Sequence, residues 1–172
     1  MEQIPRDVIY MAADFFSHLS EDEMVKVNYD YYLEQKPLQT ILAEGLKVIT
    51  DPLVAQKCVH TYLIIYRSFK YYNIQLPEIN AETVWKTFEA FIDSREEMKG
   101  KSVTPNVYCD EMKVLTQQYN IIHYVFYKFY GADGNPVNYK NEDDGFYAVL
   151  FMICLILVLN NEMKKHIGDM VN

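Results

Sequence analysis

The stretch GFYAVLFMICLILVL, Gly145 to Leu159, limits what this chain can become more than any other feature. From Phe146 to Leu159 it holds fourteen consecutive apolar residues, so a helix formed there has no side fit for water. Two environments accept such a rod: a bilayer, or the middle of a protein. At about 1.5 Å of rise per residue the run reaches roughly 21 Å, short of the roughly 30 Å hydrocarbon slab. Past Leu159 the apolar residues thin to a stripe that continues from Ile156 through Met163, Ile167 and Met170, separated by Asn160, Asn161, Glu162, Lys164 and Lys165. A helix that is apolar all round and then becomes one-sided has the pattern of a central helix emerging at the edge of a bundle. The expectation is therefore a core helix wrapped by the chain's own helices. A tail anchor flanked by Lys164 and Lys165 is the alternative.

Helical periodicity fills most of the remaining sequence. Pro5 suits an opening helical turn, followed by Val8, Ala12, Phe15 and Leu19 on one side. Ser20 to Glu23, SEDE, matches a capping box and opens a second helix that carries Met24, Val27 and Tyr31 inward and stops before Pro37. A third helix spans Leu38 to Ile49, presenting Leu38, Leu42 and Ile49. Asp51-Pro52 starts a fourth that runs to about Tyr72, with Val54, Cys58, Tyr62, Ile65, Phe69 and Tyr72 in its stripe. Asn73 to Asn80 reads as a connector, and Asn80 caps a fifth helix with Val84, Trp85, Phe88, Phe91 and Ile92 on one face. Thr104-Pro105 begins a sixth, in which Tyr108, Met112, Leu115, Tyr119, Ile122, Phe126 and Phe129 keep a coiled-coil-like spacing up to Gly131. Packing within a bundle explains that seam without a dimer. The fold class expected is all-α: one domain, residues 1–172, with six or seven helices around the apolar C-terminal helix.

Charge and cysteine usage bound the chemistry. The net charge is -8, and three arginines stand against thirteen lysines with no basic stripe, which disfavours nucleic acid and anionic lipid and permits a basic protein partner. Cys58, Cys109 and Cys154 are far apart, and no CxxC pair suggests a zinc or disulfide framework. Together with a start that lacks the form of a signal peptide, they point to a reducing, cytoplasmic setting.

Catalytic and metal motifs do not rise above background. No Glu-x-x-His occurs; Asp14, His18 and Glu21, or Glu162 with His166, are read as solvated pairs, and no metal or cofactor is expected. Asp133, Asn135 and Asp144 lie at calcium-loop spacing, but Val137 and Asn138 break the pattern at a ligand position and at the turn glycine. Asp143 or Asp144 is read instead as the cap of the last helix. His60 and His123 lie on long helices beside apolar stripes, and a ligand pocket between packed helices would use both. The remaining clue is aromatic. Tyr29 and Tyr32 point away from Tyr31 on the second helix, and Tyr71 and Tyr72 end the fourth. Tyrosine offers large contact area at low entropic cost, so these four residues are the candidate partner-binding set, and they would serve self-association equally well. The function expected is a non-catalytic interaction protein of inhibitor, immunity or adaptor type. A helical-bundle enzyme or small-ligand binder is the alternative.

Overall fold

The computed structural model describes residues 3–72, 76, 78–96, 116–131 and 141–171, with the backbone alone at 92, 94–96, 142 and 165–171. Among them are seven α-helices and no strand: α1 (Arg6–Ser17), α2 (Glu21–Glu34), α3 (Lys36–Gly45), α4 (Pro52–Tyr72), α5 (Ala81–Glu96), α6 (Tyr119–Tyr130) and α7 (Glu142–Val171). The protein is all-α, and α7 is its axis. Every residue from Ala148 to Asn160 is buried, and α4, α5 and α6 pack along α7. The segment Asp143–Lys164 is long and apolar enough to cross a membrane, yet most of it is enclosed by these neighbours. Covering an all-round apolar helix takes partners on all sides, and the chain supplies them.

Local chemistry sets most helix ends. Ser20 closes the expected capping box: its hydroxyl oxygen accepts the Glu23 N–H, while Glu23 accepts the Ser20 N–H at 2.9 Å. The Asp51 carboxylate accepts the Leu53 N–H at 2.9 Å and caps α4, and Asn80 Oδ1 accepts the Glu82 N–H at 2.8 Å to cap α5. Gly131, with φ 73°, ends α6 in the left-handed region that glycine enters without strain. Gly45 is required for a different reason. A Cβ there would fall on the ring of Phe151, so its missing side chain is what lets α3 sit against α7.

Asp144 is not the cap of α7. Asn141 takes that role, its Oδ1 accepting the Asp143 N–H at 3.1 Å. The Asp144 carboxylate, 1% exposed, crosses to the entry of α4 and accepts the N–H groups of Asp51 (2.7 Å) and Thr50 (3.1 Å) and the Thr50 hydroxyl (2.9 Å). Burial raises its pKa, but these hydrogen bonds to the charged form outweigh that and hold the carboxyl below the ordinary aspartate range. One side chain thus pins the starts of α4 and α7 together.

Three further expectations need correction. The buried face of α1 is Ile9, Ala12 and Phe16; Val8, Phe15 and Leu19 are half-buried at its rim. The third helix is shorter than read, giving way to a 3₁₀ turn over Leu46–Val48, although Leu38, Leu42 and Ile49 are buried. Helix does not run unbroken from Thr104 to Gly131: residues 116–118 are irregular and α6 starts at Tyr119, while Tyr108, Met112 and Leu115 lie outside the described residues. The break has a tertiary cause. Gln118 is buried, and its Oε1 accepts the Ile4 N–H at 2.9 Å while its Nε2 donates to Asn160 Oδ1 at 3.3 Å. Asn120 Nδ2 then donates to the Ile4 carbonyl at 3.0 Å. These bonds tie the entry of α1 to α6 and α7, and they set which face α1 turns inward.

Two predictions follow from this packing. Ile156 is fully buried, and an unpaired carboxylate there costs several kcal/mol against a total stability of about 5–15 kcal/mol. Ile156→Asp is therefore expected to be insoluble on expression, and a soluble variant with a cooperative melt would refute the placement of α7. Asp144 contributes stability that is complete above the ordinary aspartate pKa of about 4 and is lost as pH falls through its depressed folded value. Asp144→Asn should lower the melting temperature at pH 7 and flatten its decline below pH about 4. Parallel melting curves for the two proteins would contradict the clamp.

Candidate interaction surface

The second helix is built unlike the others. Tyr31 is its one buried residue, with Met24 and Val27 half-buried beside it, and among the described elements its closest backbone packing is with α3. Long side chains bridge it to α4. The Tyr31 ring meets Tyr66 edge-on with centroids 4.6 Å apart. The Glu34 carboxylate holds the Lys70 ammonium at 2.7 Å and accepts the Tyr66 hydroxyl at 3.0 Å. Arg67 completes the seam: it donates to the hydroxyls of Tyr31 (3.1 Å) and Tyr71 (2.9 Å) while its guanidinium lies 3.3 Å from the centre of the Phe15 ring. A flat cation with forked donors meets two hydroxyls and an aromatic face at once, which an ammonium cannot do. Burial raises the Tyr31 and Tyr66 hydroxyl pKa values, opposed at Tyr31 by Arg67 and reinforced at Tyr66 by the Glu34 charge, so both remain neutral donors or acceptors through the physiological range.

The opposite side of α2 faces water and is also apolar. Val25 is 69% exposed, Tyr29 59%, Leu33 62% and Tyr32 36%. At about 100° per residue these four occupy one side of the cylinder, spaced as i, i+4, i+7 and i+8. The rings of Tyr29 and Tyr32 are stacked, 23° from parallel with centroids 6.3 Å apart. The four tyrosines singled out from the sequence thus separate. Tyr29 and Tyr32 share the outward stripe, Tyr71 is engaged by Arg67, and Tyr72 is half-buried against the core. Val25 and Leu33 were not singled out, although their spacing from Tyr29, four residues on either side, is visible in the sequence as a second stripe beside Met24, Val27 and Tyr31.

The two histidines are placed apart in character. His60 lies on α4 beside Phe16 and lines two open grooves. One, of about 450 Å³, lies between Met24 and the start of α4; the other, of about 720 Å³, lies along α1 and includes Asp7, Tyr10, Asp14 and Lys128. Burial and then the Lys128 charge lower the His60 pKa, favouring the neutral ring. His123 is exposed on α6 with its ring 6.1 Å from that of Tyr119, and the described lining of neither groove includes it. Cys58 and Cys154 are buried, and burial pushes both thiols up to about 12, so neither is a nucleophile at neutral pH. Asp14 and His18 approach to 3.7 Å at the exposed end of α1, and the described residues contain no grouping of three metal-ligating side chains. Cys109, the loop residues Asp133 and Asn135, and the His166 side chain lie outside the described residues.

Arg67→Lys is expected to destabilise the protein by about 1–3 kcal/mol, because one ammonium replaces neither the paired hydroxyl bonds nor the stacking on Phe15. Hydrogen exchange should quicken in α2 and not in α7; uniform quickening would mean that Arg67 supports the whole core instead of docking one helix. Comparison with known protein families, curated proteins and solved structures finds no match, so the surface is understood from its own geometry.

Proposed function

We propose that this chain is a non-catalytic protein–protein interaction protein, of inhibitor, immunity or adaptor type, and that it meets its partner through the outer face of α2. The observation that carries this reading is the allocation of apolar residues on that helix. One residue is buried, while four large apolar side chains stand in water on the other side. Scattered exposed apolar residues are ordinary, but a contiguous stripe on one helix marks a contact surface. The deeply buried thiols support a non-catalytic role and are in keeping with a reducing, cytoplasmic residence, which belongs to the same proposal.

A ligand site at His60 is the second reading, favoured by the two grooves that meet on this side chain. It ranks below the first because both grooves are open to solvent and the expected second histidine lies elsewhere. Affinity purification of the wild-type chain and of a Tyr29→Ser/Tyr32→Ser variant from the native host separates the readings. A protein retained by the first and lost from the second is the expected result. Identical protein profiles from both would refute a contact through α2.

A further inference from the structure

We infer that the outer stripe of α2 is a docking face for a short basic amphipathic helix of another protein; this rests on the interaction reading above and names the partner's chemistry. The first argument is shape. Val25, Tyr29, Tyr32 and Leu33 run about 12 Å along the helix, the length of two turns, and present the ridge that a second helix packs against. The paired rings of Tyr29 and Tyr32 give that ridge a flat, rigid centre.

Charge supplies the second argument. On α2 five carboxylates stand against one lysine, Lys26. Glu34 is committed to Lys70, and Glu23 to the Ser20 cap. Glu21 and Asp22 border the stripe at its N-terminal end, and Asp30 lies along one flank beyond Lys26, so three exposed carboxylates outnumber the one exposed lysine at the border. An apolar ridge with an acidic border selects an apolar stripe flanked by lysine or arginine, and repels an acidic one.

The same charges disfavour a second copy of this chain as occupant. Two molecules of net charge -8 that met ridge to ridge would bring Glu21, Asp22 and Asp30 of each into the same border. Four side chains also cover a few hundred Å², well below the roughly 800 Å² per partner of a stable pair. A single helix docked transiently fits that area; a permanent dimer does not.

The test uses the whole chain and two synthetic 18-residue peptides with leucine at helical i, i+3, i+4, i+7 spacing, one with lysine on the polar face and one with glutamate. Fluorescence anisotropy should show saturable binding of the lysine peptide, weakened at least tenfold by Tyr29→Ser/Leu33→Ser and by Asp22→Asn/Asp30→Asn. Val48→Ser, at an exposed apolar position outside α2, should leave binding unchanged. Circular dichroism and melting curves establish that each variant is folded. Equal affinity of wild type and the α2 variants, preference for the glutamate peptide, or no binding of the lysine peptide overturns the inference. So does a concentration-dependent dimer that Leu33→Ser abolishes, which would make a second copy the occupant. The two readings fail separately: a host protein lost on tyrosine substitution, with no lysine-peptide binding, leaves α2 as a contact surface of different chemistry. If neither host protein nor peptide depends on α2, both are refuted.

Discussion

An apolar rod with no polar side must be covered all the way round, and the rest of this structure follows from that demand. The helices that pack along α7 each bring a continuous apolar face, and α4 is itself buried over most of its middle. Burial of this kind fixes little about rotation or register, because hydrophobic contact has no direction. Direction comes from a few polar atoms. Asp144 sets the start of α7 against the start of α4, and the Gln118–Asn160 bond sets α6 against the middle of α7. The close approach of α3 at Gly45 adds a third restraint, of shape instead of charge.

With the rod enclosed, α2 is left over as far as the core is concerned. Its attachment runs through one buried ring, Tyr31, two half-buried side chains, and a seam of hydroxyls, a guanidinium and one ion pair, which fix position while consuming little apolar surface. The apolar residues on its far side therefore remain available. A helix held by polar and cation–aromatic contacts has a defined orientation and an unspent hydrophobic face, which is the combination an interaction surface needs.

What was legible in the sequence divides by range. Helix starts at Ser20, Asp51 and Asn80 and the stop at Gly131 depend on residues within four positions of each other, and they were read correctly. The enclosure of the Phe146–Leu159 run followed from its length and from the stripe beyond it. Interactions between distant residues were not legible. Nothing near Gln118 announces that its amide will be drawn to Ile4 and Asn160, so the helix there was read straight through. Asp144 looked like a local cap because a carboxylate in a first turn usually is one; its true partners are Thr50 and Asp51. At the candidate site, Tyr29 and Tyr32 were found by their aromatic character. Val25 and Leu33 carry no such signal, and their spacing about Tyr29 competes with the inward stripe of Met24, Val27 and Tyr31 on the same helix. The exposure that gives the outward stripe meaning depends on how α2 is docked.

The links from Ile4 and Thr50 to residues beyond 115 also bear on synthesis. As the chain leaves the ribosome, the N–H groups that Ile4, Thr50 and Asp51 offer have no native acceptors until Gln118 and Asp144 have been made. Meanwhile the apolar faces of α4 and α5 stand open, awaiting α7. Completion is thus delayed until α7 has emerged, a topology that gives nascent-chain chaperones a long window in which to act.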